Sequence, residues 1–342
     1  MEIHEVTKKD ENEWDEYVIN HPESTFFHKL GWRNVVSKAY GHKPIYLIAR
    51  GDGEIRGILP MFLMKSRIFG KKLVSVPFAP YGGVCADNRS IEAALVEKAK
   101  EITQELDADY LELRYLHRKS YPQFIVKLHY TTSVLELDPN PEVVWREKLK
   151  KNKRKTISKS KKQDLTFNWT NRVDNFYRLF SHNMRDLGTP VHSKVFFKTI
   201  LEEFPNNSKI LEVKRDDNVI YAAFYLFYRD RMINCWSSTL RKYRRFLPTD
   251  FGIWVAIEYG CENGFKYYDF GRSQVNSSNF EFKRRWGAKA TPLYYLCYLN
   301  GLSTVPDITS SNPKRQKFAK TWRKMPILIS NILGPKIRRH IP

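Results

Sequence analysis

The densest reactive chemistry in this 342-residue chain gathers around one lysine. Tyr267-Tyr268-Asp269-Phe270-Gly271-Arg272-Ser273 reads as a short buried strand that ends on Asp-Phe-Gly-Arg-Ser. The following Phe280-Glu281-Phe282-Lys283-Arg284-Arg285-Trp286-Gly287 sets Lys283 in an aromatic frame of Phe280, Phe282 and Trp286, beside two arginines. A cation in an apolar frame suits the stabilisation of a developing oxyanion, a main task in acyl transfer. Arg272, Arg284 or Arg285 can grip a phosphate or carboxylate in bidentate fashion. Arg272, Ser273, Phe282, Arg285 and Trp286 are therefore the candidate substrate-binding residues beside Lys283. Asp269 is a candidate base, with pairing to Arg272 or capping of the turn as the alternative.

Two further loops carry candidate contacts. Tyr81-Gly82-Gly83 precedes a helical stretch and can offer backbone N–H groups to an anion, or serve only as a tight turn. Gly188-Thr189-Pro190-Val191-His192 reads as a shaped loop lining a crevice, with His192 as a minor candidate proton carrier. Asp-Phe-Gly also occurs in protein kinases, but this chain has neither a Gly-rich nucleotide loop nor a His-Arg-Asp catalytic loop, so a kinase is rejected. The nine histidines form no His-x-x-x-His pattern and the four cysteines no Cys-x-x-Cys pair. No metal site and no bound cofactor is expected, and the scattered cysteines read as reduced thiols.

Charge is the strongest compositional signal. The net charge is +21, and ten Lys/Arg against one acid fall between Arg146 and Lys162. Nine Lys/Arg and no acid fall between Lys314 and Arg339. Two local cationic stretches imply a polyanionic partner: nucleic acid, a nucleotide-linked substrate or an anionic lipid surface. Lys150, Lys151, Lys153, Arg154 and Lys155 are the candidate anion-binding residues of the first stretch. The second also holds Trp322, Met325, Ile327, Leu328, Ile329, Ile332 and Leu333. It can lie in a membrane interface or dock as a helix on the body. No apolar run reaches the ~18–20 residues needed to span a bilayer and the start is not a signal peptide, so a cytoplasmic chain is expected.

The elements that must position these residues recur in one order. A helix around Phe27–Tyr40 leads to strands Pro44–Arg50 and Ile55–Met64 about a Gly51-Asp52-Gly53 turn. Strand Lys72–Val76, helix Ile91–Leu106 and strand Asp109–Tyr115 follow. The order returns with helix Lys194–Phe204, strands Lys209–Lys214 and Val219–Tyr228, and strand Met232–Ser237. Helix Thr249–Asn263 and strand Phe265–Phe270 close the second pass. A repeated helix, hairpin, strand, helix, strand order predicts two related α/β units. The expected domains are 1–140 and 166–300, joined by a basic helix over 141–165. A linker and basic amphipathic tail occupy 301–342.

With these residues in view, the chain resembles the FemAB-like branch of the GNAT superfamily, especially the FemAB-like proteins that accompany exosortase and exopolysaccharide systems. The markers run in order from Trp32 through Gly57-Ile58-Leu59-Pro60, Phe69-Gly70 and Pro77–Val84. They continue with Asp186–Val191, Asp269–Ser273, Phe282-Lys283 and Trp286-Gly287-Ala288, and end at Trp322 and Met325-Pro326. The resemblance implies an α/β (α+β) fold of tandem GNAT-like domains, each a mixed twisted sheet flanked by helices. It implies an enzyme that moves an acyl or aminoacyl group onto an amine of a cell-envelope peptide or glycan precursor, nucleotide- or lipid-linked. It makes Lys283 the residue that binds the reacting carbonyl. Asp87 matches the acid that relatives use near the acceptor, with a helix N-cap as the alternative. Trp32, Tyr81, Gly82, Gly83, Thr189 and His192 join the candidate substrate-binding set.

One departure separates two donor classes. CoA-using GNAT enzymes hold pyrophosphate on a Gly-containing loop before their central helix. Here that stretch is Arg244-Arg245-Phe246-Leu247-Pro248-Thr249-Asp250, without glycine. This favours aminoacyl-tRNA as donor over acyl-CoA. An acyl-CoA-dependent N-acyltransferase of amino sugars and a non-catalytic RNA- or membrane-surface-binding protein are the other readings.

Overall fold

The computed structural model describes residues 1–66, 70–305 and 312–342. Phe69 of the marker set, and residues 306–311 of the expected linker, lie outside the described residues. The chain forms two compact units. The first holds the described residues of 1–129, 292–309 and 337–342; the second holds those of 130–291 and 310–336.

The first unit opens with β1 (Glu2–Glu5), α1 (Glu11–Asn20) and α2 (Gly31–Tyr40). A hairpin of β2 (Lys43–Gly51) and β3 (Glu54–Ser66) follows, then β4 (Gly70–Val74) and the short β5 (Cys85–Ala86). The unit continues through α3 (Arg89–Glu105) to β6 (Tyr110–Tyr115). The hairpin turns on Asp52 and Gly53, at φ 54° and 81°, the left-handed pair that a tight hairpin needs. The side-chain oxygen of Asn88 caps α3 by accepting the N–H groups of Ser90 and Ile91, both at 3.0 Å. The Ile91, Leu95, Ala99 and Ile102 stripe of α3 then packs on the sheet. The crossover makes β4 and β6 parallel, whereas β1–β2, β2–β3 and β3–β4 are antiparallel. Loop 75–83 folds over the end of β6. There the buried Arg114 bridges the Glu112 carboxylate (2.7 Å) and the Ala79 carbonyl (2.9 Å).

The second unit repeats this order. It holds β7 (Phe124–Glu136) from residue 130 onward, α4 (Pro141–Val143), α5 (Lys151–Ser160) and β8 (Leu165–Thr170). Helices α6 (Asp174–Leu187) and α7 (Lys194–Glu203) lead to β9 (Ser208–Arg215), β10 (Asn218–Tyr228) and β11 (Arg231–Thr239). Then come α8 (Pro248–Glu262), β12 (Tyr267–Gln274) and α9 (Ser278–Arg284). Its sheet runs β7-β12-β11-β10-β9-β8, and β11–β12 is the parallel step across α8. Strand β13 (Lys289–Leu299) follows, and its residues 294–299 complete the first unit's sheet beside β6. Helices α10 (Pro313–Trp322) and α11 (Ile327–Arg338) end the chain.

The long apolar run of β10 follows from its central place. Alternation sends Tyr221, Ala223, Tyr225 and Phe227 into the core beneath α8. Phe224, on the opposite face, meets Phe176 of α6 and Phe197 of α7 at ring distances of 5.5 and 5.8 Å. A strand covered on both faces reads as a continuous hydrophobic segment. The repeated order of helix, hairpin, strand, helix and strand expected from sequence is thus present in both units.

The expected basic helix over 141–165 is broken. Wider π-type turns fill Val144–Lys148, Leu149 is extended, and α5 restarts at Lys151. Gly287, at φ 82°, packs directly under the Lys148 carbonyl where a β-carbon would clash, so the interruption is built into the packing.

Candidate active site

Strands β11 and β12 pair only over Arg231–Ile233 and Tyr267–Asp269. Beyond that point the two strands no longer pair with each other, β11 staying on β10 and β12 on β7, and the gap opens a cleft of about 690 Å³ within the second unit. The separation has two local causes. Strand β11 carries a bulge, because Trp236 faces Phe224 while Asn234 faces Tyr225, which leaves Cys235 as the extra residue. Strand β12 is bulged between Asp269 and Arg272 in its pairing with β7. Gly271 takes φ 71° there, and a β-carbon would sit 2.9 Å from the Asn234 carbonyl oxygen. Gly271→Ala should therefore cost about 1–3 kcal/mol of stability. A thermal melt checks this, and an unchanged midpoint would argue against the tight bulge.

Lys283 reaches this gap from α9. Ser277 starts the helix by accepting the Phe280 N–H on its hydroxyl at 3.2 Å, so the residue sits on a rigid turn rather than in a loop. Its ammonium is buried, lines the cleft, and donates to the carbonyls of Gly271 (2.7 Å) and Arg272 (3.1 Å). Those contacts use two of its three donors. Burial pulls the Lys283 ammonium down to about 8, while nearby Asp269 raises it and Arg272 lowers it. The carbonyls hold the charge at the bulge, and its remaining donor can serve a carbonyl oxygen in the cleft.

The aromatic frame belongs to a different lysine. Lys153 of α5 lies over the rings of Phe282 (4.9 Å) and Trp286 (4.7 Å), and its ammonium pairs with Asp250 at 2.6 Å. The expectation that Phe282 and Trp286 frame Lys283 is corrected, because α9 turns their faces toward α5. Lys153 is also removed from the set of surface anion binders, since it is buried. Lys150, Lys151 and Lys155 are exposed, and Arg154 turns back to the Trp145 and Arg146 carbonyls.

Asp269 does not line the cleft. It is fully buried and accepts from the Thr132 hydroxyl (2.5 Å) and the Gly271 N–H (2.8 Å), with Arg231 at 3.5 Å. Its geometry fits the turn-capping alternative, and the expected base is corrected to a brace for the bulge. The strand does not end there either, because β12 continues to Gln274.

Arg272 and Phe282 line the same cleft as Lys283. Arg272 also stacks over Tyr130 at 4.7 Å. Ser273 is buried and accepts from Asn279 at 3.3 Å, and Arg285 is exposed on α9's far end. His192 is buried, stacks on Phe196 at 4.7 Å and is not among the cleft residues. Thr189 follows Gly188, which ends α6 in the left-handed conformation. Trp32, Tyr81, Gly82, Gly83 and Asp87 all lie in the first unit. There Trp32 is buried with its indole on the Pro77 carbonyl (3.3 Å), and Tyr81 packs on Phe27. The Gly82 N–H is used by the Arg114 carbonyl (3.0 Å), so that loop offers a tight turn rather than an open anion nest. Asp87 accepts from the Tyr17 hydroxyl (2.8 Å) and lies 3.6 Å from Arg56, while Asn88 takes the cap.

Several lining residues escaped the sequence reading, notably Asn183, Asn234 and Trp236, and Arg244 was read only as part of the loop before α8. A polar Asn234 inside the apolar Met232–Trp236 run was the available signal. Its amide donates to the Tyr268 hydroxyl (3.0 Å), beneath the cleft. Burial pushes the Tyr268 and Tyr225 phenols up, so both are neutral hydrogen-bonding groups. Arg244, Arg272 and Lys283 give the lining a positive field, and its one acid, Asp250, is spent on Lys153.

Residues 146–284, which include the cleft, match the model of the acetyltransferase (GNAT) domain family. The fold resembles the crystal structure of FemX at a TM-score of 0.67 and 15% identity, covering 88% of this chain and 98% of that one. It also resembles a tandem GNAT protein from the clavulanic acid biosynthesis pathway, at a TM-score of 0.56 and 10% identity over 89% and 99% of the two chains. L-PGS from Bacillus licheniformis aligns at a TM-score of 0.52 and 10% identity over 88% and 96%. No curated protein sequence matches significantly. Residues 146–284 thus carry an acetyltransferase (GNAT) domain, and the fold of the chain is similar to those of FemX and of a tandem GNAT protein.

Proposed function

We propose that this enzyme transfers an aminoacyl group from aminoacyl-tRNA onto an amine of a nucleotide- or lipid-linked cell-envelope precursor, working in the cytoplasm in peripheral contact with a membrane. The observation that carries the donor choice is the Lys153–Asp250 pair at the start of α8. In a CoA-using GNAT enzyme that helix N-terminus receives a pyrophosphate on free amides. Here its first turn contains Pro248, which has no N–H, and the chain's own Asp250 carboxylate. A second phosphate-bearing anion would meet a filled site, whereas an aminoacyl ester needs only the carbonyl pocket at Lys283 and a basic track outside it. The similarity to FemX and to L-PGS supports the same reading at the level of fold.

In this reading the donor carbonyl sits between Lys283 and Arg272. The amine attacks the carbonyl carbon, the C–O bond to the tRNA breaks, and the amine's proton passes through water to the leaving ribose oxygen of the tRNA. The cleft lining offers no carboxylate free to take it, so catalysis rests on positioning and charge. Label transfer should require charged tRNA. Release of CoA thiol from acetyl-CoA, with no dependence on charged tRNA, overturns the donor assignment. The triple variant Lys150→Ala, Lys151→Ala, Lys155→Ala should weaken tRNA binding and flatten its log-salt slope by roughly 2–3. An unchanged slope would place the tRNA elsewhere.

A further inference from the structure

Helix α11 is docked the wrong way round for a soluble protein. Its small residues Ser330 and Gly334 are buried, and Gly334 packs against Val191, where a β-carbon would come within 2.9 Å of the valine methyl. The aliphatic residues point out: Leu328 is 74% exposed, Ile332 62%, Ile329 45% and Leu333 38%. The spacing i, i+1, i+4 and i+5 places these four on one face. A helix docked for stability would bury that face and expose Ser330. Exposed cations flank it, with Arg323 and Lys324 before the helix and Lys336 within it. The segment from 314 to 339 contains no acid.

We infer that α11 is an interfacial helix that lies in the plane of an anionic lipid surface, with Leu328, Ile329, Ile332 and Leu333 inserted among the acyl chains and the flanking cations on headgroup phosphates. Among the described residues no helix is long and apolar enough to cross a membrane. A twelve-residue helix is about 18 Å long, which suits lying along the surface rather than spanning it. The same charge argues against a second copy as the occupant. Two chains of net charge +21 would have to bring their basic tails together. An anionic bilayer instead satisfies both the apolar face and its cationic rim. This specifies the peripheral membrane contact of the functional reading, and it is independent of the chemistry in the cleft.

The test is co-sedimentation of the full chain with vesicles of phosphatidylcholine alone, or of equal parts phosphatidylcholine and phosphatidylglycerol. The wild type should bind the anionic vesicles and not the neutral ones. The double variant Leu328→Ser, Ile332→Ser, at exposed positions, should keep the far-ultraviolet circular dichroism and lose binding by roughly tenfold or more. Lys324→Gln with Lys336→Gln should weaken binding and reduce its salt sensitivity. Equal sedimentation of the Ser variant and wild type, or no anionic binding at all, overturns the assignment. So does a dimer seen by sedimentation velocity that the Ser variant abolishes, because the face would then cover itself. Failure here leaves the tRNA-dependent transfer assay untouched, and the reverse holds.

Discussion

Lys283→Ala should lower the transfer rate by about 10²–10³, the loss seen when one preorganised oxyanion donor is removed. The side chain also braces the Gly271 and Arg272 carbonyls, so a rate loss alone would not separate chemistry from architecture. The pH profile does. With the ammonium lowered to about 8, a role for the charged form predicts a rate that falls as pH rises through that value. A base role for the neutral amine predicts the opposite slope. Stability moves in its own direction. Between about 8 and the ordinary lysine value near 10.5 the unfolded chain binds the extra proton, so this group makes the fold more stable as pH rises there. A rate that falls while stability rises is the signature of the charged form acting on substrate. Turnover within a few-fold of wild type in Lys283→Ala would remove the residue from the mechanism.

The largest stability effect should come from Lys153→Ala. It leaves the Asp250 carboxylate buried without its cation and strips the charge from above Phe282 and Trp286. Breaking a buried pair from one side costs about 3–5 kcal/mol. For a unit of this size the melting midpoint should fall by about 10 °C. Lys153→Met combined with Asp250→Leu should recover most of that loss, because an apolar pair of similar volume carries no stranded charge. Calorimetry on the two variants checks both statements. A Lys153→Ala protein that melts like wild type would mean that the pair is solvated and α8 still open to an anion.

Much of the architecture was legible because it follows from periodicity. The hairpin turn at Asp52-Gly53, the apolar β10 and the repeated strand–helix–strand order all read directly from residue type. What escaped depends on contacts far apart in sequence. Nothing in Lys289–Leu299 indicates that residues 294–299 pair with β6, because strand pairing at a distance of about 180 residues leaves no local mark. The aromatic frame was read onto the nearest lysine, Lys283, but the cation that fills it comes from Lys153, 130 positions away from it in the chain. Asp269 looked like a base from its place at a strand end; only the pairing of β12 with β7 brings Thr132 to its carboxylate. The cleft itself was half visible. Phe282, Lys283 and Arg272 were read from one contiguous stretch, whereas Asn234 and Trp236 enter through a bulge that single-strand periodicity does not reveal.

In the proposed reaction the gap between β11 and β12 holds the reacting aminoacyl carbonyl against Lys283. A crystal structure with a hydrolysis-resistant aminoacyl-adenosine, the chemical equivalent of a charged tRNA end, tests it most directly. The analogue's carbonyl oxygen should lie about 3 Å from the Lys283 ammonium, with its phosphate-bearing side turned away from Asp250. An analogue bound with its carbonyl outside this cleft, or acetyl-CoA seated with its pyrophosphate on the start of α8, would contradict it.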